Sequence, residues 1–195
     1  MMPPLLSDRF EQALSYACQL HRQQTRKISD TPYVGHLLAV AALVLEHGGG
    51  EDEAIAALLH DAVEDQGGAA TRQAIALRFG ERVARIVDAA SDADGEPKPP
   101  WKERKLAHLA RLRTADAPAR LVLAADKLHN ARSLARDLRA RGAAVWQSFN
   151  GGRDGTLWYY RAMRDALADG WRHPILAELD DALAQLESLA GQESQ

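Results

Sequence analysis

The chain has 195 residues, enough for one well-buried core and few for two. Hydrophobic residues make up 46% and aromatic residues 6%, with many Ala, Leu and Arg, which favours helices over sheets; the formal net charge of −3 excludes a global basic field for nucleic acid or an anionic membrane. The lone Cys18 excludes an internal disulfide, no apolar run approaches the roughly 20 residues of a membrane span, and Met1-Met2-Pro3-Pro4 lacks a signal-peptide pattern, so a cytoplasmic protein is expected.

Ser7-Asp8 reads as a helix cap, followed by Phe10, Ala13, Leu14, Ala17 and Leu20 at helical spacing. Thr31-Pro32 resets the backbone, and a second apolar helix runs from about Val34 to Glu46 until Gly48-Gly49-Gly50 stops it. The third starts near Asp52, carries "AIAALLHDAVED" and ends at Gly67-Gly68. Thr71 to Phe79 and Glu81 to Ala90 read as shorter helices hinged at Gly80. In "SDADGEPKPPWKERKLAHLARL" the first half is a Gly/Pro loop and the second a basic helix start. Pro118 to about Arg139 is a long helix, Phe149 to Gly155 a Gly-rich loop, and helices from about Thr156 to Ala168 and Pro174 to Leu189 complete the chain. With no alternating segments or internal repeats, the expectation is an all-α chain: a single domain, residues 1–195, forming a bundle of roughly eight helices.

The chemistry concentrates where apolar helices carry ionisable groups. On a helix His60 lies over Glu64 and Asp61 over Asp65, making a polar wall at the end of an apolar run. Desolvating an unpaired carboxylate costs several kcal/mol or forces it to take up a proton, so these groups need water or a cation. Asp126 interrupts the Ala/Leu/Val run of "LVLAADKLHNARSL", and with Asn130 and Ser133 it forms a polar stripe. His36 sits just inside the second helix. Two imidazoles and two carboxylates facing one another would suit a divalent ion such as Mn²⁺, Fe²⁺ or Zn²⁺. Taken singly, His36 reads as a solvated or capping residue and Asp126 as a buried acid paired with Arg132 or Lys127. His21, His47, His108, His129 and His173 read as structural or solvent-facing.

The ordered combination H…HD…D resembles the HD-domain metal-dependent phosphohydrolases. More narrowly, "HRQQTRKISDTPYVGHLLAVAALV", "AIAALLHDAVED" and "LVLAADKLHNARSL" resemble the (p)ppGpp hydrolases, both the hydrolase domain of Rel/Spo proteins and the small alarmone hydrolases, over roughly residues 7–168. The resemblance implies His36, His60, Asp61 and Asp126 as metal ligands, with Mn²⁺ as the ion and Fe²⁺, Zn²⁺ or Co²⁺ as alternatives. It implies Glu64 and Asp65 as the pair that orients and activates water, and Arg26 and Lys27 as the basic pair beside the purine. Ser29 falls near a nucleotide contact, Asn130 and Ser133 line the nucleoside pocket, and Tyr160 lies near the ribose, with Tyr159 as its competitor. Two departures stand out: Leu37 replaces the usual proline after the first histidine, and "RKISDTPY" lacks the usual turn glycine.

The implied reaction is metal-dependent hydrolysis at the phosphorus on O3′ of guanosine 3′,5′-bis(diphosphate) or its pentaphosphate form, releasing pyrophosphate and GDP or GTP. Such a substrate is a polyanion, and Lys98, Lys102, Arg104 and Lys105 are candidates to clamp its phosphates, their bland alternative being a solvated helix face. The expected partner is a small nucleotide, with no nucleic acid and no membrane, on a stand-alone hydrolase. The sequence leaves oligomeric state and purine preference open. Competing readings are another HD phosphohydrolase, acting on adenosine alarmones, deoxynucleotides or NADPH, and a catalytically silent nucleotide sensor. Retention of both Glu64 and Asp65 opposes the silent reading, because binding alone needs no water activator.

Overall fold

A computed structural model of the chain describes residues 5–91 and 99–192. Among them the regular structure is helical: α1 (Asp8–Leu20), α2 (Val34–Glu46), α3 (Glu51–Leu59), α4 (Ala62–Asp65), α5 (Gly68–Phe79), α6 (Glu81–Ala90), α7 (Trp101–Leu112), α8 (Ala117–Arg141), α9 (Gly152–Ala168) and α10 (Ile175–Gln192), with a 3-10 segment, Gly142–Ser148, between α8 and α9. The all-α expectation holds, and no described helix is long and apolar enough to cross a membrane.

The axis of the fold is α8. Asp116 caps it by accepting from the Ala119 amide at 3.1 Å, Pro118 sits in its first turn, and Gly142 ends it at φ +62°, a left-handed geometry that favours glycine. Around it pack α2, α3, α6, α9 and α10, while α1 covers α3, α5 lies on α6 and α7 lies on α9. Every residue of α3 from Ala54 to Leu59 is shut off from solvent, as are Leu37, Val40 and Val44 of α2 and Val122, Ala124, Ala125 and Leu128 of α8. Leu37 is thus a core residue, which explains what the chain does at the position where proline was expected.

Two sequence expectations are corrected. The third helix is not continuous: it breaks at His60 and Asp61 and resumes as α4, although the Asp65 amide still donates to the Asp61 carbonyl at 2.9 Å. The Gly-rich stretch after Phe149 is already helical from Gly152. Its glycines admit a close neighbour: a Cβ on Gly151 would stand 2.7 Å from two ring carbons of Trp101, and one on Gly155 3.2 Å away. The α7 indole is therefore seated directly on the start of α9.

Arg120 fastens the same region. Its side chain, buried at the start of α8, donates to the carbonyls of Arg113 and Ala115 after α7 and of Leu167 and Asp169 at the end of α9, at 2.6–2.9 Å. These include carbonyls that helix ends leave without partners.

Gly151→Ala should force the Trp101 ring aside and lower stability by about 1–3 kcal/mol. Gly35→Ala, a helical position with nothing within 4 Å of the added carbon, should raise it by about 0.4–1 kcal/mol. Urea unfolding of the two variants beside the parent chain reads both.

Candidate active site

Three helical segments aim polar groups at one buried point. α2 supplies His36 from its first turn, the break between α3 and α4 supplies His60 and Asp61, and the middle of α8 supplies Asp126. One ligand-type atom from each of His36, His60 and Asp126 lies within 4.8 Å of the others, and all three residues are buried. Asp126 Oδ1 stands 3.2 Å from His36 Nε2 and 3.6 Å from His60 Nε2. Asp61 Oδ2 is 3.0 Å from His60 Nε2 and 3.8 Å from His36 Nε2. Three of the four residues named from the sequence thus form one cluster, and Asp61 borders it through His60 and His36. The adjacent His60 and Asp61, where α3 ends, both border the same buried point.

Both imidazoles are oriented from behind. His60 Nδ1 donates to the Ala57 carbonyl at 2.8 Å. His36 Nδ1 lies 2.7 Å from Nδ1 of His129, a residue read from the sequence as structural. Burial, then the neighbouring His36 and Arg26, push the His129 imidazole down to about 4. A neutral His129 can accept the Nδ1–H of His36, leaving the His36 Nε2 lone pair directed at Asp126. The Nε2 atoms of His36 and His60 are buried with no hydrogen-bond partner among the described residues. Burial would strip charge from His60, yet Asp61 and Asp126 hold its proton affinity well above the ordinary value, while burial keeps His36 low. Two unsatisfied imidazole nitrogens facing two carboxylates fit a divalent cation, which would satisfy all four at once.

The carboxylates are braced as well. The Tyr33 hydroxyl donates to Asp61 Oδ2; burial first, then Asp61, raises that phenol far above its usual range. Lys127 donates to Asp126 Oδ2 at 2.7 Å, so the ordinary ion pair expected for a buried acid is present alongside the imidazoles. The Asn130 amide donates to Asp126 Oδ1, and its own carbonyl accepts from Arg26 at 2.6 Å.

A cleft of about 550 Å³ lies beside this point: Tyr33, Lys127 and Asn130, which contact Asp61 and Asp126, line it, while His36, His60, Asp61 and Asp126 do not. It is lined by Glu64 and Asp65 near the break, by Arg26 and Lys27, by Asn130 and Ser133 on α8, by Arg104 and Lys105 on α7, and by both Tyr159 and Tyr160. The structure thus does not choose between the two tyrosines. Ser29 and Lys102 do not line it: the Ser29 hydroxyl donates to Thr31 Oγ1 at 2.9 Å, and the exposed Lys102 places its ammonium over the Trp158 ring. Lys98 lies outside the described residues. The segment without the turn glycine closes through a Thr25–Pro32 bridge, and no described non-glycine residue needs a positive φ there or elsewhere.

Sequence reasoning passed over Tyr33, Gln24 and His129. Tyr33 and His129 each sit three residues from a site residue, His36 and Asp126 respectively, a spacing that shares a helix face. Gln24 carried no such signal; it donates to Asp65 Oδ2 at 2.7 Å from before the bridge.

Residues 13–157 match the family model described as HD domain. The chain is 41% identical over 128 residues to the guanosine-3′,5′-bis(diphosphate) 3′-pyrophosphohydrolase MESH1 of Xenopus tropicalis, covering 64% of this chain and 69% of that protein. It is 34% identical over 132 residues to a guanosine-3′,5′-bis(diphosphate) 3′-pyrophosphohydrolase of Aquifex aeolicus, covering 67% of this chain and 18% of that longer protein. A solved metazoan ortholog of SpoT, described as hydrolyzing ppGpp, superposes with a TM-score of 0.77 at 29% identity, covering 95% of this chain and 98% of that one.

His129→Phe should weaken divalent-ion binding by about 10- to 100-fold by removing the acceptor that orients His36. Calorimetric titration of metal-free protein reads this, with helical circular dichroism unchanged.

Proposed function

The chain belongs to the HD-domain family, among its (p)ppGpp hydrolases, and from this premise we propose how its residues divide the work of the reaction. It hydrolyses the 3′-pyrophosphate of guanosine 3′,5′-bis(diphosphate) and of the pentaphosphate form, giving GDP or GTP and pyrophosphate. The observation that carries the assignment of residues is the pair of buried, unpartnered Nε2 atoms facing Asp61 and Asp126 beside a cleft with basic walls.

We assign His36, His60, Asp61 and Asp126 to hold one divalent ion, Mn²⁺ in our reading, with Fe²⁺, Zn²⁺ and Co²⁺ the alternatives for a mixed nitrogen and oxygen set. The ion, when bound, supplies Lewis acidity towards a phosphoryl oxygen and lowers the pKa of a water. Glu64 and Asp65 orient that water and accept its proton. The new bond forms at the phosphorus on O3′, the P–O3′ bond breaks, and O3′ leaves protonated on the sugar while the water oxygen departs in pyrophosphate. Arg26, Lys27, Asn130, Ser133 and Tyr160 or Tyr159 hold the nucleoside, and Arg104, Lys105 and Lys127 meet the phosphate charge. Residues 1–195 act as one phosphohydrolase domain on a small cytoplasmic nucleotide, with no part for nucleic acid.

Asp65 is set for the proton. Partial desolvation in the cleft wall raises its carboxyl above the usual range; the Gln24 amide opposes that rise, and the charges of Asp61 and Glu64 add to it. Protonated Asp65 cannot accept a proton, so activity is lost as pH falls through this raised value.

Mn²⁺-loaded protein given ppGpp in ¹⁸O-water should release GDP and pyrophosphate, with the label in pyrophosphate only; orthophosphate as sole product would overturn the assignment. Glu64→Ala should keep metal content and helicity while losing most turnover, and near-normal activity in that variant would remove Glu64 from the mechanism. Gln24→Ala removes a donor to the Asp65 carboxylate, so the acid limb of its pH–rate profile should move to higher pH; an unmoved limb assigns that limb to another group.

A further inference from the structure

The end of the cleft away from the imidazoles differs in character from the rest. Ile28, Leu134 and Phe149 line it and belong to one apolar cluster, a slot suited to the flat faces of a base. A single carboxylate, Asp137, also lines it. In a pocket that receives a polyanion, a carboxylate is electrostatically costly unless the ligand turns hydrogen-bond donors towards it. Among the described residues Asp137 has no strong internal contact: its side chain is 17% exposed, and its ion pair is with the exposed Arg136 at 3.9 Å, beyond hydrogen-bond range.

Its position along α8 fits that role. Asp126, Asn130, Ser133 and Asp137 follow at steps of four, three and four residues, so they lie on one stripe of one helix. Asp137 stands about 16 Å along the axis from Asp126 at the helical rise, a separation comparable to the reach from the metal through a 3′-phosphorus and across the sugar to the far edge of a purine. Between the two ends, Asn130 and Ser133 line the stretch where the sugar would lie.

Resting on the hydrolase reading above, we infer that Asp137 reads the Watson–Crick edge of guanine and makes the enzyme select guanine over adenine nucleotides. Guanine offers N1–H and N2–H₂ side by side, two donors that a carboxylate accepts in parallel. Adenine offers one donor, N6–H₂, beside the N1 lone pair, which would face a carboxylate oxygen across the slot. Asn150, which lines the same end, carries an amide able to donate to guanine O6. Asp137 is a specificity residue only: it touches the base and lies far from the reacting phosphorus.

The test pairs two bases with two side chains. For the parent protein loaded with Mn²⁺, the GDP affinity should exceed the ADP affinity by about 10- to 100-fold, the scale of one bidentate base contact, and kcat/KM should favour ppGpp over ppApp by a similar factor. Asp137→Asn is nearly isosteric and can turn a donor to adenine N1 and an acceptor to N6–H₂, so both ratios should fall to near unity or invert. Asp137→Ala should lower both ratios mainly through the guanine partner. Replacing guanine by hypoxanthine, which lacks the N2 amine, should weaken binding to the parent protein and leave Asp137→Ala indifferent. Affinity ratios that do not move in either variant overturn the inference, and they do so whether or not turnover is seen. Absence of pyrophosphate release from both purines would instead overturn the hydrolase reading, while the GDP to ADP affinity ratio would still decide the role of Asp137.

Discussion

A carboxylate in the middle of the core helix is the constraint around which this structure is arranged. Asp126 lies on α8 among Val122, Ala124, Ala125 and Leu128, all shut off from water, where an unsupported charge would cost several kcal/mol. The fold answers with Lys127 and the Asn130 amide from the same helix and with the imidazoles of His36 and His60 from two others. Burial would otherwise push Asp126 towards protonation, but these partners hold it ionised, well below the usual carboxylate range. His60 and Asp61 keep helical dihedrals where the regular hydrogen bonding of α3 ends, and both side chains border the same point.

This arrangement separates two electrostatic tasks that conflict in a protein of net charge −3. Asp61 and Asp126 gather beside the cleft, where a cation would neutralise them, while Arg26, Lys27, Arg104 and Lys105 line its walls, where an anionic substrate would meet them. The contact from Arg26 through Asn130 to Asp126 joins the two regions. A nucleoside that engages Arg26 or Asn130 therefore touches groups that also position a site carboxylate, so substrate binding and the geometry of the centre are physically coupled.

Much of this was legible from the chain. The Thr31-Pro32 reset and the glycine stop placed α2 at Val34–Glu46, and Pro118 placed the start of α8 to within one residue, because apolar periodicity and punctuation agree there. His36, His60, Asp61 and Asp126 stood out because ionisable groups interrupt apolar runs. What stayed hidden depended on tertiary direction. His129, on the same helix face as Asp126, read as one more structural or solvent-facing histidine until α2 supplied His36 opposite it. The basic run at the start of α7 was legible as a cluster but not as a division: Arg104 and Lys105 turn into the cleft while Lys102 turns onto Trp158. The helix break was hidden because "LLHDAVED" has no proline or glycine to announce it.

Arg120 has a consequence of a different kind. Its guanidinium holds carbonyls belonging to the ends of α7 and α9 while its own backbone starts α8. Undocking either neighbour would leave a buried cation with too few acceptors, a cost absent when all three helices stay together or loosen together. The three segments should accordingly open as one cooperative unit, with amide hydrogens across them exchanging at a common rate. The cleft walls that α7 and α9 provide, Trp101, Arg104, Lys105 and the two tyrosines, would then be lost or kept as a set.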